Sequence, residues 1–179
     1  MFEKIRKMKN QKGFTLVELI VVLVILAILA ALLVPALTGY IDKANKEKVI
    51  ATTRMVVMAA QTEASEKYGL KADGQLHNGT PFTVAKEGTT YTPAAEDPAK
   101  GEKVGEVDGI NINTIAKLAE VANDDNGTFV NGVEKVSVKI DAKGHVTEVT
   151  VTQSGFTCTY KASPEAGKDK YTVTDTRSK

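Results

Sequence analysis

The chain has 179 residues, a net charge of +1, one cysteine and no tryptophan. That length is enough for one domain with a sizeable core and a separate targeting segment. The positive charge is concentrated in residues 1–13, which carry five basic side chains and one acid, so the rest of the chain is net negative. This distribution gives no electrostatic case for nucleic-acid binding, and a single cysteine excludes an internal disulfide.

An apolar segment, residues 14–37, follows this basic leader and contains one charged side chain, Glu18. Its length exceeds the ~20 residues that a helix needs to cross the hydrocarbon core of a bilayer. The basic leader predicts that the amino end stays cytoplasmic while the rest crosses. Two ordinary interpretations are a secretory signal cut after Ala36 and an uncleaved signal anchor. Neither gives a reason for Glu18, because a charge costs roughly 2.5–3.5 kcal/mol at the centre of a membrane helix.

A third interpretation accounts for this glutamate. The string KGFTLVELIVVLVILAILAALLVPAL resembles the amino-terminal signature of type IV pilins and of the pseudopilins of type II secretion and competence systems. The resemblance implies that a prepilin peptidase cuts between Gly13 and Phe14 and then methylates the new amine of Phe14. It also implies that Glu18 is the family's glutamate at the fifth mature position and that Pro35 is its helix-kinking proline. Ala27 departs from the pattern, since many relatives carry glycine there.

The resemblance suggests a physical role for Glu18. Cleavage before Phe14 would create a free α-amine, for which Glu18 is the natural counter-charge. An ion in apolar surroundings is costly until it is paired. We therefore expect the amine of an incoming chain to pair with Glu18 of an assembled chain and to fix the axial register. Small residues in the segment, Ala27, Ala30 and Ala31, would allow close helix approach.

An amphipathic pattern continues after the apolar segment, and it predicts one nearly continuous helix over residues 14–68. Pro35 and Gly39 are expected to bend this helix, and Gly69 to stop it. One helical stripe is predicted to pack on a sheet as core: Ile41, Ala44, Ala51, Met55, Met58 or Ala59, and Thr62. The other interpretation of its methionines is a groove for a partner.

The middle of the chain is rich in glycine, proline and charge. Residues 72–109 are predicted to form a long loop with one short strand at residues 82–85. The string INTIAKLAEVAN predicts a short helix, with Asn113 or Asn111 as its cap. Its apolar face is predicted to contain Ile115, Leu118, Ala119 and Ala122.

The carboxyl-terminal third alternates between apolar and polar residues, which is typical of strands. We predict strands in VEKVSVKID, HVTEVTVTQ, FTCTYKA and KYTVTD, with hairpin turns at DAKG and SG. The alternation breaks near Thr147 and Glu148, which indicates a bulge. Cys158 is predicted to be a small buried core residue. The predicted fold class is α+β and type IV pilin-like: a long amino-terminal helix, kinked near Pro35, packed on a carboxyl-terminal antiparallel sheet of three to four strands.

No catalytic constellation emerges from the sequence. His77 and His145 lie in turn-like surroundings. A triad of Cys158, His145 and Asp141 can be written down, but a buried strand cysteine and a loop histidine have no reason to meet. We predict no catalytic residue and no cofactor.

The string NDDNG at residues 123–127 is similar to part of a calcium loop. An EF-hand alignment, however, puts Ala122 where the first acid should be and Val133 where the closing glutamate should be. A polar turn is the favoured interpretation, and we predict no metal site.

These observations predict three parts: a cleaved basic leader (1–13), a membrane and filament-core helix (14–40) and an extracytoplasmic globular domain (41–179). The expected function is that of a type IV pilus subunit, a single-pass membrane precursor that assembles at the cell surface. Its expected partners are copies of itself, a prepilin peptidase, an assembly platform with its ATPase, and membrane lipid before assembly. Two alternatives stay open: a pseudopilin, and a secreted or signal-anchored binding domain.

Overall fold

The structure is a computed structural model that describes residues 14–88, 90–92 and 105–177. The chain divides into two compact units, one ending at Lys43 and one, the carboxyl-terminal unit, running from Ala44 to Lys179. Helix α1 (Leu16–Gly69) contributes residues to both. Residues 1–13, which include the predicted leader and Gly13, lie outside the described part of the chain.

Helix α1 confirms the predicted long helix, with bounds that differ by one or two residues. Gly69 is its last residue rather than the first residue after it. Pro35 lies inside the helix. Proline has no N–H to donate to the carbonyl four residues earlier, and the Thr38 hydroxyl donates to the Pro35 carbonyl at 2.9 Å. The bend predicted at Pro35 and Gly39 stays a prediction.

The carboxyl-terminal unit contains a six-stranded antiparallel sheet in the order β2-β1-β5-β6-β7-β8. A two-stranded hairpin, β3-β4, and a short helix, α2, lie between β2 and β5 in the chain. The bounds are β1 Phe82–Glu87, β2 Thr90–Thr92, β3 Glu106–Val107, β4 Ile110–Asn111, α2 Ile112–Leu118, β5 Val133–Ile140, β6 Val146–Gln153, β7 Phe156–Lys161 and β8 Tyr171–Asp175.

The four strands of the carboxyl-terminal third, β5 to β8, confirm the prediction for that region. The bulge is also confirmed, because Lys139 pairs with Glu148 whereas Ile140 pairs with Val146, which leaves Thr147 as the extra residue. The SG turn is tight: Ser154 and Gly155 both have positive φ, as a two-residue hairpin loop requires.

The sheet is larger than the predicted three to four strands. The predicted strand at residues 82–85 extends to Glu87 and pairs along its whole length with β5, and β2 pairs with it on the other side. The predicted strand stopped too early because Lys86 reads as an exposed residue in the sequence, whereas its side chain is buried in the structure. Residues 93–104 of the predicted loop lie outside the described residues.

Asn111 precedes helix α2 and is its cap, because its side-chain oxygen accepts from the Asn113 N–H at 2.8 Å. The helix ends at Leu118, earlier than its apolar pattern suggested, and Glu120 has a positive φ of 56°. Ile115, Ala119 and Ala122 are buried as predicted, but Leu118 is 54% exposed.

The core lies between the sheet and one face of the outer part of α1. That face contains Val49, Thr52, Thr53, Val56, Ala59, Ala60, Glu63 and Ala64. The predicted stripe is therefore wrong by about one third of a turn, because Met55 and Met58 are exposed and two threonines take core positions. The Thr52 hydroxyl donates to Gln153 Oε1 at 2.8 Å, and the Thr53 hydroxyl donates to the Val49 carbonyl at 2.7 Å. Both hydroxyls are therefore buried with a hydrogen-bond partner.

The carboxyl terminus is held without a disulfide. Strand β8 pairs with β7, and the Thr176 N–H donates to the Gly155 carbonyl at 2.9 Å. The Arg177 guanidinium lies 4.5 Å from the centre of the Phe156 ring and contacts the Asp175 carboxylate at 2.6 Å. A cation over an aromatic face supplies a non-covalent attachment. Cys158 is fully buried in the core, as predicted.

Candidate functional site: the start of the long helix

The start of α1 has a reciprocal hydrogen-bond arrangement. Phe14 and Thr15 precede the helix, which begins at Leu16. The Thr15 N–H and the Thr15 hydroxyl each donate to Glu18 Oε2 at 2.8 Å, and the Glu18 N–H donates to Thr15 Oγ1 at 3.2 Å. This is a capping box, in which residues at the cap and three positions later satisfy each other's free N–H groups.

The sequence carried the signal for this arrangement in Thr15-Leu-Val-Glu18, which fits the pattern of serine or threonine followed three residues later by glutamate. The role predicted for Glu18 lies between subunits and does not involve Thr15. The structure adds a local role for Glu18, which caps the amino-terminal end of its own helix.

Only one of the two Glu18 carboxylate oxygens takes part in the capping box. Within the described part of the chain, Oε1 accepts no hydrogen bond. A carboxylate has acceptor sites on both oxygens. The cap therefore leaves one oxygen of Glu18 able to accept from a further donor.

The apolar segment presents its side chains outward. Its large apolar residues are between 49% and 82% exposed, with Leu29 the least and Phe14 the most exposed. Among the described residues, α1 is the one helix long and apolar enough to cross a membrane, by length and composition. A core helix would be buried in its own fold, so this helix is built to face lipid or other protein chains.

The residues of the rejected triad are not arranged for catalysis. His145 Nδ1 lies 3.1 Å from Asp141 Oδ2, but this pair is on an exposed hairpin, whereas Cys158 is fully buried. Burial is the largest influence on the Cys158 thiol and raises its pKa. A thiol with a raised pKa is a poor nucleophile, because the thiolate is the reactive form. His77 lies against the Phe82 ring, with 5.5 Å between ring centres.

The NDDNG loop is held by protein groups. Both carboxylate oxygens of Asp124 accept from Thr128, from its N–H and from its hydroxyl, each at 2.7 Å. The buried Lys86 ammonium donates to the carbonyls of Asn126 and Gly127. An ammonium therefore occupies the place where the loop carbonyls would meet a cation. Among the described residues no group of three or more histidine, cysteine or carboxylate side chains is placed to hold a metal ion.

Comparison with known proteins identifies the amino-terminal region. Residues 8–34 match the family model of the prokaryotic N-terminal methylation motif. No curated protein and no solved structure matches the chain. The matched region covers the Gly13–Phe14 junction, Glu18 and the apolar segment as far as residue 34. The long helix begins within it, and an antiparallel sheet follows in a pilin-like α+β arrangement. Residues 8–34 therefore carry the motif of the class III signal peptide of type IV pilins and pseudopilins, and helix α1 is long and apolar enough to anchor a precursor in a membrane.

Proposed function

We propose that this chain is the structural subunit of a type IV pilus. It is inserted in the membrane as a prepilin, cleaved after Gly13, methylated on the amine of Phe14 and polymerised through residues 14–37. The observation that carries the proposal is the combination of the methylation motif with an apolar segment whose large side chains are exposed in the described part of the chain.

The physical chemistry of this helix supports a filament core. Apolar surface in water costs ~25 cal/mol per Å², so an exposed apolar segment needs lipid or protein around it. Lipid satisfies it before assembly, and equivalent helices of neighbouring copies satisfy it in a filament. Lipid is as apolar as a leucine side chain, so burial does not itself extract the helix from the membrane. An assembly platform with its ATPase is the partner that would supply this work.

We propose that Glu18 has two roles, divided between its two oxygens. Oε2 accepts from Thr15 and caps the subunit's own helix, and Oε1 accepts from the terminal amine of a neighbouring copy. A charged donor strengthens such a hydrogen bond, and it neutralises a carboxylate in apolar surroundings. Because only one axial offset brings amine and carboxylate together, the pair fixes the register of the filament.

A structural rather than a catalytic role fits the described residues, because Cys158 is fully buried whereas the His145–Asp141 pair lies on an exposed hairpin. A pseudopilin would use the same signal and the same helix in a short secretion or DNA-uptake fibre. Electron microscopy of cells with and without the chain separates the two, because a pilus subunit gives long surface filaments.

The first test determines the mature amino terminus. We would produce the full chain in a host that contains prepilin peptidase and analyse the product by mass spectrometry. The expected chain begins at Phe14 with the added mass of one methyl group, and Gly13→Leu, which removes the small residue at the cut, should accumulate as precursor. A product beginning at Leu37 would show a secreted domain, and an uncut product would show a signal anchor; either contradicts the proposal.

The second test separates the two roles of Glu18. Glutamine can replace glutamate in a capping box, so Glu18→Gln keeps the cap and removes the charge, whereas Glu18→Ala removes both. Thr15→Val is the complementary control, because it removes the two hydrogen bonds of the threonine hydroxyl and keeps the Glu18 charge and its bond from the backbone N–H of residue 15. We expect cleavage and membrane insertion in all three, loss of filaments in both Glu18 variants, and filaments in Thr15→Val. Filaments at the wild-type yield from Glu18→Gln would show that register does not depend on this charge.

A further inference from the structure

Two methionines of the carboxyl-terminal unit lie on the surface of α1. Met55 is 38% exposed and Met58 is 63% exposed. Together with Leu118, which is 54% exposed, they line an open groove of about 340 Å³ whose other lining residues are Ala59, Thr62, Ala119 and Glu120. The groove is apolar along most of its length, and all of its residues belong to the carboxyl-terminal unit.

The fold of the single chain gives no reason for these exposed side chains. The face of α1 that packs on the sheet runs through Val49, Val56 and Ala60, which are fully buried. Met55 and Met58 lie to one side of that face. Leu118 likewise ends up outside the core, because α2 stops at this residue.

The spacing of the exposed residues is that of a helix–helix seam. Alternating steps of three and four residues connect a series that is exposed throughout: Leu37, Ile41, Ala44, Lys48, Ala51, Met55 and Met58. A repeat of 3.5 residues is the pattern by which one helix packs along another. The core face does not use these positions, so α1 has one face for its own sheet and a second, regularly spaced face that the subunit leaves uncovered.

Lys48 is the one charged member of this series, and its ammonium group is held by a backbone carbonyl outside α1. Its ammonium donates to the Asn131 carbonyl at 2.9 Å. The aliphatic part of a lysine can cover apolar surface while its charged end is held aside. The lysine is therefore compatible with a helix–helix contact, because the other members of the series are leucine, isoleucine, alanine and methionine.

We propose that this seam, residues Ala44, Ala51, Met55 and Met58 with Leu118, packs against helix α1 of a second copy of the chain in the filament. The inference rests on the proposed function, and it extends the contact between copies from the apolar segment into the carboxyl-terminal unit. In the sequence the series runs back without a change of step into Ile41 and Leu37, where the apolar segment ends. Methionine suits such a contact, because its flexible side chain adapts to the surface of its partner.

The size of the seam favours a second copy over a separate soluble partner. A stable interface buries roughly 800 Å² on each partner, and a few side chains cannot supply that area alone. Between copies already joined through their apolar segments, the same few contacts act at high effective concentration. The seam is therefore expected to stabilise a filament and to leave the unassembled subunit monomeric.

Charged substitutions test the seam in the full chain. We would compare Met55→Glu and Met58→Glu with Leu70→Glu, a matched control that places the same charge on an exposed leucine, 76% exposed, outside the series. None of the three side chains is in the core, so each variant should fold, insert and be cleaved before Phe14 as the wild type is. The expected result is loss of sedimentable filaments in both methionine variants and the wild-type yield in the control.

Cross-linking supplies a second measurement on assembled material. The native Cys158 is fully buried, so a cysteine placed on the seam is the accessible thiol. Because each chain then carries one accessible thiol, Met58→Cys should give covalent dimers with a bis-maleimide in filaments and single chains in detergent, whereas Leu70→Cys should give single chains in both.

The outcomes distinguish this inference from the proposed function. Filaments at the wild-type yield from both methionine variants, or no covalent dimer from Met58→Cys filaments, would overturn the seam and leave the proposed function standing. If the wild-type chain is cleaved at another site and forms no filament, both fail.

Discussion

The two units of this chain use one helix in opposite ways. In the part of α1 before Ala44, the large apolar side chains are exposed. In the part after Lys43, a face made mostly of valine and alanine, with two threonines and Glu63, is buried in the core, and most charged residues face outward together with Met55 and Met58. The first pattern is continuous and the second is amphipathic, and this difference in sequence separates a helix made for lipid or for copies from a helix made for its own core.

The difference also assigns stability to one unit. Folding free energy comes from apolar surface that the chain buries within itself. The carboxyl-terminal unit has such a core, and the apolar segment has none in the single chain. Substitutions in the two regions should therefore affect different measurements: unfolding in one, and membrane insertion or assembly in the other.

The largest expected effect on unfolding comes from Phe156→Ala. The Phe156 ring is fully buried, with the Arg177 guanidinium 4.5 Å from its centre. Loss of a buried phenylalanine costs about 3–5 kcal/mol, because burial is lost and a cavity remains. Denaturant unfolding in detergent, followed by near-ultraviolet circular dichroism of the paired Tyr160 and Tyr171 rings, 5.1 Å apart, would measure it.

The matched control for this prediction is Leu23→Ala in the apolar segment. Leu23 is 64% exposed, so its truncation leaves no cavity in the core of the carboxyl-terminal unit. We expect the unfolding transition of that unit to be unchanged. A comparable loss of stability in Leu23→Ala would show that the apolar segment contributes to the same cooperative core, contrary to the comparison of the two units.

The sequence predicted the features that depend on local patterns. Alternation gave the four strands β5 to β8, and its interruption gave the bulge at Thr147. Short polar signals gave the two hairpin turns and the choice of caps that included Asn111. Each of these features is encoded within a few neighbouring residues, so no tertiary contact is needed to recognise it.

Two of the failures involve polar side chains whose partners are distant in the sequence. Thr52 enters the core because its hydroxyl bonds to Gln153, 101 residues away, and its place displaces the methionines to the surface. Lys86 is buried because carbonyls 40 and 41 residues away accept from it, and strand β1 was therefore underestimated. A hydropathy pattern ranks methionine above threonine and lysine, and it cannot register such partners. The capping box of Thr15 and Glu18 was local, and we overlooked it.

Lys86 gives the next prediction, of intermediate size. The ammonium donates to the Gly127 carbonyl at 2.9 Å and to Asn113 Oδ1 at 3.3 Å. Lys86→Met keeps the length and shape of the side chain but leaves those buried acceptors without this donor, at a cost of about 1–3 kcal/mol. The measurement is the midpoint of denaturant unfolding of the full chain in detergent.

Lys135→Met is the control for this substitution. Lys135 also extends from a strand of the sheet, and its ammonium pairs with Glu87 at 2.9 Å, but both side chains are largely exposed. An exposed pair contributes about 0–1 kcal/mol. If Lys86→Met is no more destabilising than Lys135→Met, the buried ammonium does not hold the loop to strand β1.

The smallest expected effect concerns the pH dependence of the carboxyl-terminal unit. The Glu63 side chain is only 6% exposed, and its burial raises its pKa above the ordinary value, a shift that the Lys67 ammonium at 3.8 Å partly offsets. Nearby Glu66 and Glu106 add to the increase. Because the folded state binds this proton more tightly than the unfolded state, Glu63 favours folding below its unfolded pKa, and that contribution is lost as pH rises through its folded pKa.

Glu63→Gln removes this titration, so the comparison with the wild type isolates it from other titrating groups. The difference in the free energy of unfolding between variant and wild type should shift in favour of the variant as pH rises from the acid side toward neutrality. Chemical denaturation of the full chain at a series of pH values measures the difference, and Glu165→Gln, which changes a side chain that is 73% exposed and does not act on Glu63, serves as the control. A difference that stays constant with pH would mean that Glu63 ionises alike in the folded and unfolded chain. Water would then reach the Glu63 carboxyl group in the folded chain, and the contrast between a buried face of α1 in the carboxyl-terminal unit and an exposed one in the apolar segment would be weaker than the burial indicates.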